Sequence, residues 1–115
     1  MTLRQKRSAF TQLTARLILE AAALGYEVTL GEAYRSPEEA ARLAKLKKGI
    51  KNSLHTAGLA VDLNLFKDGV YLRSTEAHRP LGMWWEAQST KGIECVWGGQ
   101  FGDGNHYSVG HEGKK

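Results

Sequence analysis

The run from Ala60 to Phe66 limits the possible folds more than any other segment. Val61, Leu63 and Leu65 alternate there with Asp62, Asn64 and Phe66. Side chains alternate across a strand, so the three aliphatic residues face one way and the other three face the opposite way. Such a strand needs a core on its aliphatic side only. Asp68-Gly69 then signals a tight turn, and Val70-Tyr71-Leu72 returns as a partner strand. The middle of the chain is thus expected to be an antiparallel hairpin with one covered face.

The flanking segments supply the cover. Phe10, Leu13, Leu17, Ile18, Ala21 and Leu24 share one face of a helix predicted over residues 8–24, with Gly25 placed to end it. Tyr26, Val28 and Leu30 alternate as a strand. Ser36-Pro37-Glu38-Glu39 offers a capping serine, a proline suited to the first turn and a glutamate that completes a capping box. That helix is expected to reach Lys48 and stop at Gly49, with a polar loop over residues 49–54. Residues 80–88 are predicted as a short helix holding Trp84 and Trp85, and residues 94–97 as a strand. A glycine-rich loop follows over 98–104, then a last strand over 106–109. Hairpins with helices on one side give an α+β fold built on a small, mostly antiparallel sheet. At 115 residues, the chain is expected to form a single domain over residues 1–115.

Composition narrows the classes. A hydrophobic share of 42% is enough for one core and argues against disorder. Cys95 is the single cysteine, so no intrachain disulfide can form. Arg4, Lys6 and Arg7 precede a segment interrupted by Thr11, Gln12, Thr14, Arg16 and Glu20, which suits neither a signal peptide nor a membrane span. The expectation is a cytoplasmic monomer with no membrane insertion. The net charge of +4 favours a polyanionic partner. Arg42, Lys45, Lys47, Lys48 and Lys51 cluster, which fits nucleic acid, an anionic cell wall or simply a solvated helix face. No nucleic-acid recognition motif accompanies them, so no nucleic acid is expected.

The chemistry gathers in Ser53-Leu54-His55-Thr56-Ala57-Gly58-Leu59-Ala60-Val61-Asp62. His55 stands just before the strand, and Asp62 lies inside it on the face away from the core. Gly58 permits a tight turn between them, and Ala57 and Ala60 leave room. Asp103-Gly104-Asn105-His106 adds a second histidine and a spare carboxylate. Two histidines and a carboxylate make a three-ligand zinc site with a fourth position open for water, and a nearby carboxylate can take that water's proton. Spacing alone equally fits an Asp62 bonded to loop amides and a His55 at a strand end.

The motifs resemble a known family. Residues 53–62 match the S-x-H-x-x-G-x-A-x-D signature of the zinc peptidoglycan peptidases at every fixed position. That family includes VanY-type D-alanyl-D-alanine carboxypeptidases and phage L-alanyl-D-glutamate endolysins, and shares its fold with the hedgehog signalling domain. Trp97-Gly98-Gly99 with Asp103-x-x-His106-Tyr107 is similar to its second signature, and Glu32-Ala33-Tyr34-Arg35-Ser36-Pro37-Glu38 to its arginine-bearing turn. The resemblance implies that His55, Asp62 and His106 bind Zn2+ and that Asp103 is the general base. It also implies that Arg35 binds substrate and steadies the oxyanion, and that Ser53 supports the site. Many relatives carry glutamate as the base and a bulkier residue before the third ligand, where this chain has Gly104-Asn105.

Other candidates have blander readings. His78 is expected at the surface before a proline helix start, and His111 in a frayed tail. Cys95 is expected to be an inert core thiol, Trp84 and Trp85 core residues, and Tyr107 a core residue pointing away from its ligand neighbour. Trp97 fits core and site wall equally, and Glu32 fits an Arg35 pair or a strand end. The resulting expectation is a peptidase acting on bacterial peptidoglycan. An endolysin held in the host cytoplasm, cutting L-alanyl-D-glutamate, is favoured by compactness and the missing export signal. A D-alanyl-D-alanine carboxypeptidase, a virion-associated enzyme and a non-catalytic zinc module are the alternatives.

Overall fold

The computed structural model describes residues 1–46 and 53–115. The chain runs α1 (Leu3–Ala23), β1 (Glu27–Leu30), α2 (Pro37–Lys45), β2 (Ala60–Lys67), β3 (Val70–Leu72), α3 (Thr75–Ala87), β4 (Cys95–Trp97), a 3-10 turn (Gly98–Phe101) and β5 (His106–Val109). All strand pairings are antiparallel, in the order β1-β2-β5-β4, with β3 hairpinned onto the far end of β2. The α+β expectation holds.

β2 is the centre, as its alternation predicts. Val61, Leu63 and Leu65 are buried with Tyr107 and Val109 of β5, while Asp62, Asn64 and Phe66 stay half-buried on the opposite face. α1 and α3 close the aliphatic face with Phe10, Leu17, Ala21, Leu81 and Trp85. Phe10 and Trp85 meet edge to face, and the Trp85 indole N–H donates to the Ser108 carbonyl at 3.0 Å. The Asp68-Gly69 turn has φ of 51° and 77°, the left-handed pair that matches strand twist.

Several boundaries differ from those read in the sequence. α1 starts five residues early because Thr2 and Gln5 form a reciprocal capping box that the apolar periodicity does not reveal. Leu13 and Ile18 are only half-buried, and Leu24 is exposed past the helix end. At α2, Ser36 accepts from the Glu39 amide, but the Glu39 carboxylate turns to Arg42, so only half of the predicted box forms. α2 buries only Ala40 and stands outside the core cluster. Its predicted end at Lys48 and Gly49 lies outside the described residues, as do Lys47, Lys48 and Lys51.

α3 begins at Thr75 rather than Pro80, because Ser74 caps it by accepting from the Ala77 amide. Pro80 sits one turn inside, where it forgoes only the bond to the exposed Glu76. This extra turn buries His78, contrary to the surface position expected for it. The glycine-rich run closes as a 3-10 turn instead of an open loop. The tail is also anchored: Lys6 Nζ donates to His111 Nδ1 at 3.1 Å, and His111 bridges Lys114. No helix among the described residues is long and apolar enough to cross a membrane.

Candidate metal centre

The sheet register builds half of the site. Asp62 on β2 is directly opposite His106 on β5. Directly opposed residues project on the same face with their Cβ atoms close, so the carboxylate and imidazole meet without any loop. Their core-side neighbours Val61 and Tyr107 are likewise paired.

His55 arrives from the turn before β2. The Gly58 amide donates to the His55 carbonyl at 3.2 Å, with Gly58 at a φ of 71°. A side chain would be strained at that angle and would also meet Arg7, whose Nε donates to the Ala57 carbonyl at 2.6 Å. Ser53 Oγ accepts from the His55 amide at 3.1 Å.

The segment between β1 and α2 straps both residues in place. The Asp62 amide donates to the Glu32 carbonyl at 2.7 Å, and the Gly31 amide to the Asp62 carbonyl at 2.8 Å. The Arg35 amide donates to the His55 carbonyl at 3.0 Å. His55 Nδ1 lies 2.8 Å from the Ala33 carbonyl. A carbonyl can only accept, so Nδ1 holds a proton, and in the neutral imidazole Nε2 keeps a free lone pair.

That lone pair faces the other two residues. His55 Nε2 is 3.4 Å and His106 Nδ1 is 3.5 Å from the same atom, Asp62 Oδ1. The three ligand atoms lie within 4.8 Å of one another. Asp62 Oδ1 is buried and has no hydrogen-bond partner among the described residues. A buried carboxylate oxygen without a donor is costly unless a cation completes it. Imidazole, imidazole and carboxylate are the donor set that suits zinc, and the Ala33 carbonyl on the first imidazole is the orienting partner such ligands use. The residues therefore fit a zinc ion.

Electrostatics follow the same pattern. Burial opposes the charge on Asp62, yet His106 and His55 outweigh it and hold its pKa down at about 2. Burial likewise works against protonated His55, but Asp62, the Ala33 carbonyl and Glu32 leave its pKa raised. Asp62 is thus an anion at neutral pH.

The remaining predicted residues surround this cluster. Asp103 is 53% exposed, with Oδ2 4.0 Å from His106 Nδ1. Its carbonyl accepts from the His106 amide at 3.1 Å, which fixes the spacing of the two residues. Gly98 runs beneath them, where an added Cβ would lie 2.8 Å from His106 Cβ. Arg35, Ser53, His55, Asp62, Asp103 and His106 line one cleft of about 280 Å3 together with Leu54, Phe101 and Lys115. Arg35 is only 12% exposed, and its Nη2 donates to Glu32 Oε1, which settles the position of Glu32.

Trp97 proves to be core: its indole N–H donates to the Gly104 carbonyl at 2.7 Å below the site. Cys95 is buried, and burial pushes its thiol up to about 11, as suits an inert residue. Neither His78 nor His111 joins the cluster. Two further groups border the site without having been given a role from the sequence. Phe101 is 52% exposed, its ring 5.9 Å from that of His106. An aromatic amid glycines was the available signal. The Ala33 carbonyl offers no side-chain signal at all.

Comparison with known proteins gives a family and a fold. Residues 47–109 match the model of an M15 peptidase family described as D-alanyl-D-alanine carboxypeptidase. No curated protein matches the chain. Among solved structures, the crystal structure of Serratia marcescens L-Ala D-Glu endopeptidase ChiX is similar, with a TM-score of 0.62 at 21% identity. The match covers 87% of this chain and 79% of that one, and at this identity it speaks for the fold. With the family model spanning more than half of its length, the chain belongs to the M15 peptidase family described as D-alanyl-D-alanine carboxypeptidase.

Proposed function

We propose that the chain is a zinc-dependent peptidase of the peptidoglycan stem peptide that cuts between L-alanine and D-glutamate. The observation that supports it most is the convergence of His55 Nε2 and His106 Nδ1 on the unpartnered Asp62 Oδ1, beside a solvent-facing Asp103. The choice of bond draws on the activity named for the Serratia marcescens enzyme.

His55, Asp62 and His106 would hold the zinc. Bound there, the ion would supply Lewis acidity, lowering the pKa of a water to about 7 and polarising a carbonyl. Asp103 is free to accept a proton from the attacking water and return it to the leaving amine, because its carboxylate faces solvent at the cleft wall. The Arg35 guanidinium lines the same cleft and offers N–H donors to the oxyanion that develops on the scissile carbonyl. Ser53 keeps the His55 backbone in register. We assign the enzyme to the endolysin type, acting on the wall after release from the host cytoplasm; the net charge of +4 favours its adhesion to an anionic wall. The family description supports a second reading, removal of the terminal D-alanine.

Digestion of purified peptidoglycan, followed by mass spectrometry of new amino termini, tests this. New N-terminal D-glutamate that disappears with chelator and returns with zinc is expected. Released D-alanine alone would favour the second reading. Unchanged peptidoglycan at saturating zinc would refute both.

A further inference from the structure

A second pocket of about 280 Å3 adjoins the cleft that holds the metal ligands, and the two share Ser53 and Leu54 as a common wall. Arg7 of α1 and Lys114 of the tail bring two cations to it, and no carboxylate among the described residues lines it. Both cations are positioned by the fold. Arg7 Nε donates to the Ala57 carbonyl at 2.6 Å, which fixes the guanidinium beside the turn that carries His55. Lys114 and His111 exchange amide-to-carbonyl bonds of 2.9 and 3.0 Å around Glu112 and Gly113, whose φ of 49° and 79° close a tight turn. Lys6 Nζ donates to His111 Nδ1 and ties that turn to α1. The Glu112 carboxylate is 77% exposed, 3.7 Å from His111 Nε2, and does not line the pocket. Neither Arg7 nor Lys114 forms an ion pair among the described residues. Lys115 adds a further cation in the adjoining cleft.

We propose that this pocket is an anion subsite in which Arg7 and Lys114 receive a carboxylate of the stem peptide while the scissile bond lies at the metal. This rests on the peptidase reading above and deepens it. Cations gathered on one concave surface without an acid among them attract an anion. An arginine and a lysine together offer a carboxylate charge-assisted hydrogen bonds. Leu3, Pro37, Leu54 and Ala57 make the rest of the lining largely apolar, which suits the methylene groups that carry a carboxylate better than a bare phosphate. The shared wall at Ser53 and Leu54 joins the pocket to the cleft. An extended peptide advances about 3.3–3.6 Å per residue, so a chain held at the metal reaches the adjoining pocket within a few residues of the cut. Binding energy gained there holds the reacting bond in place without touching it.

Calorimetry of the zinc-loaded protein with γ-D-glutamyl-meso-diaminopimelate, and with the same peptide amidated at every carboxylate, tests this without requiring hydrolysis. The wild type is expected to bind the acid more tightly than the amide. Lys114→Gln, in a residue remote in sequence from the metal ligands, should lower that acid-to-amide ratio by about threefold, and Arg7→Gln combined with it by about tenfold. Lys114→Arg keeps the charge and should keep the ratio. Lys67→Gln removes an equal charge from the far end of β2, outside the pocket, and should also leave the ratio as in the wild type. Equal affinity for acid and amide in the wild type would overturn the proposal, as would a ratio untouched by Lys114→Gln. A drop in Lys67→Gln as large as in Lys114→Gln would overturn it too, because overall charge would then explain the effect. Poly(glycerol phosphate) at the same charge concentration should not displace the peptide. Displacement that is lost in Lys114→Gln would assign the pocket to a phosphate polymer of the wall instead. Zinc content measured on each variant separates lost metal from lost anion binding. Failure to cleave peptidoglycan would count against the peptidase reading while leaving these affinities readable.

Discussion

Replacing His78 with glutamine should remove a large part of the protein's sensitivity to mild acid. His78 is 3% exposed on α3, with Nδ1 2.9 Å from the Tyr107 hydroxyl. Burial pulls its pKa from 6.5 to about 4. The folded form therefore refuses a proton that the unfolded chain accepts below pH 6.5. Stability from this group is complete above that pH and drains away as pH falls through the window from 6.5 to about 4. At about 1.4 kcal/mol for each tenfold change in proton affinity, the loss is about 3 kcal/mol. Glutamine can still bond Tyr107 but does not titrate. Urea unfolding followed by tryptophan fluorescence, with chelator present to remove metal linkage, compares the two proteins at pH 8 and pH 4. The wild type should be the more stable at pH 8. Its advantage should shrink by about 3 kcal/mol at pH 4, or about 1–3 M in midpoint for a domain of this size. An advantage that is the same at both pH values would refute the reasoning.

Two further substitutions address the site and its support. Asp103→Ala should lower kcat by about 100- to 10,000-fold with bound zinc unchanged, because the carboxylate is half exposed and stands outside the three-ligand set. Loss of zinc on elemental analysis would make it a ligand instead. Gly82→Ala would place a methyl group 2.5 Å from Trp97 Cε2, so overpacking should cost about 1–3 kcal/mol in chemical denaturation. Wild-type stability would contradict the close approach of α3 to β4.

Much of the site was legible because it depends on local pattern. The alternation of β2 puts Asp62 on the face opposite Val61, Leu63 and Leu65, and β5 repeats the pattern with His106 and Tyr107. Gly58 announces the turn that brings His55 round. What local pattern does not encode is the partner across the fold. His78 was misplaced because Pro80 suggested a helix start, while the Ser74 cap and the Tyr107 hydroxyl decide the matter. The bond between Lys6 and His111 joins residues 105 apart, so the tail reads as loose in sequence although it is anchored. The strap from Gly31 to Arg35 works mainly through backbone carbonyls and amides, which no residue type betrays.

Anomalous diffraction at the zinc edge from crystals grown with zinc tests the central claim most directly. The account predicts one strong peak bounded by His55 Nε2, Asp62 Oδ1 and His106 Nδ1, each at about 2.0–2.2 Å, with a solvent-facing fourth position. A peak elsewhere in the molecule, or one with Asp103 closing a fourth protein ligand, would contradict it.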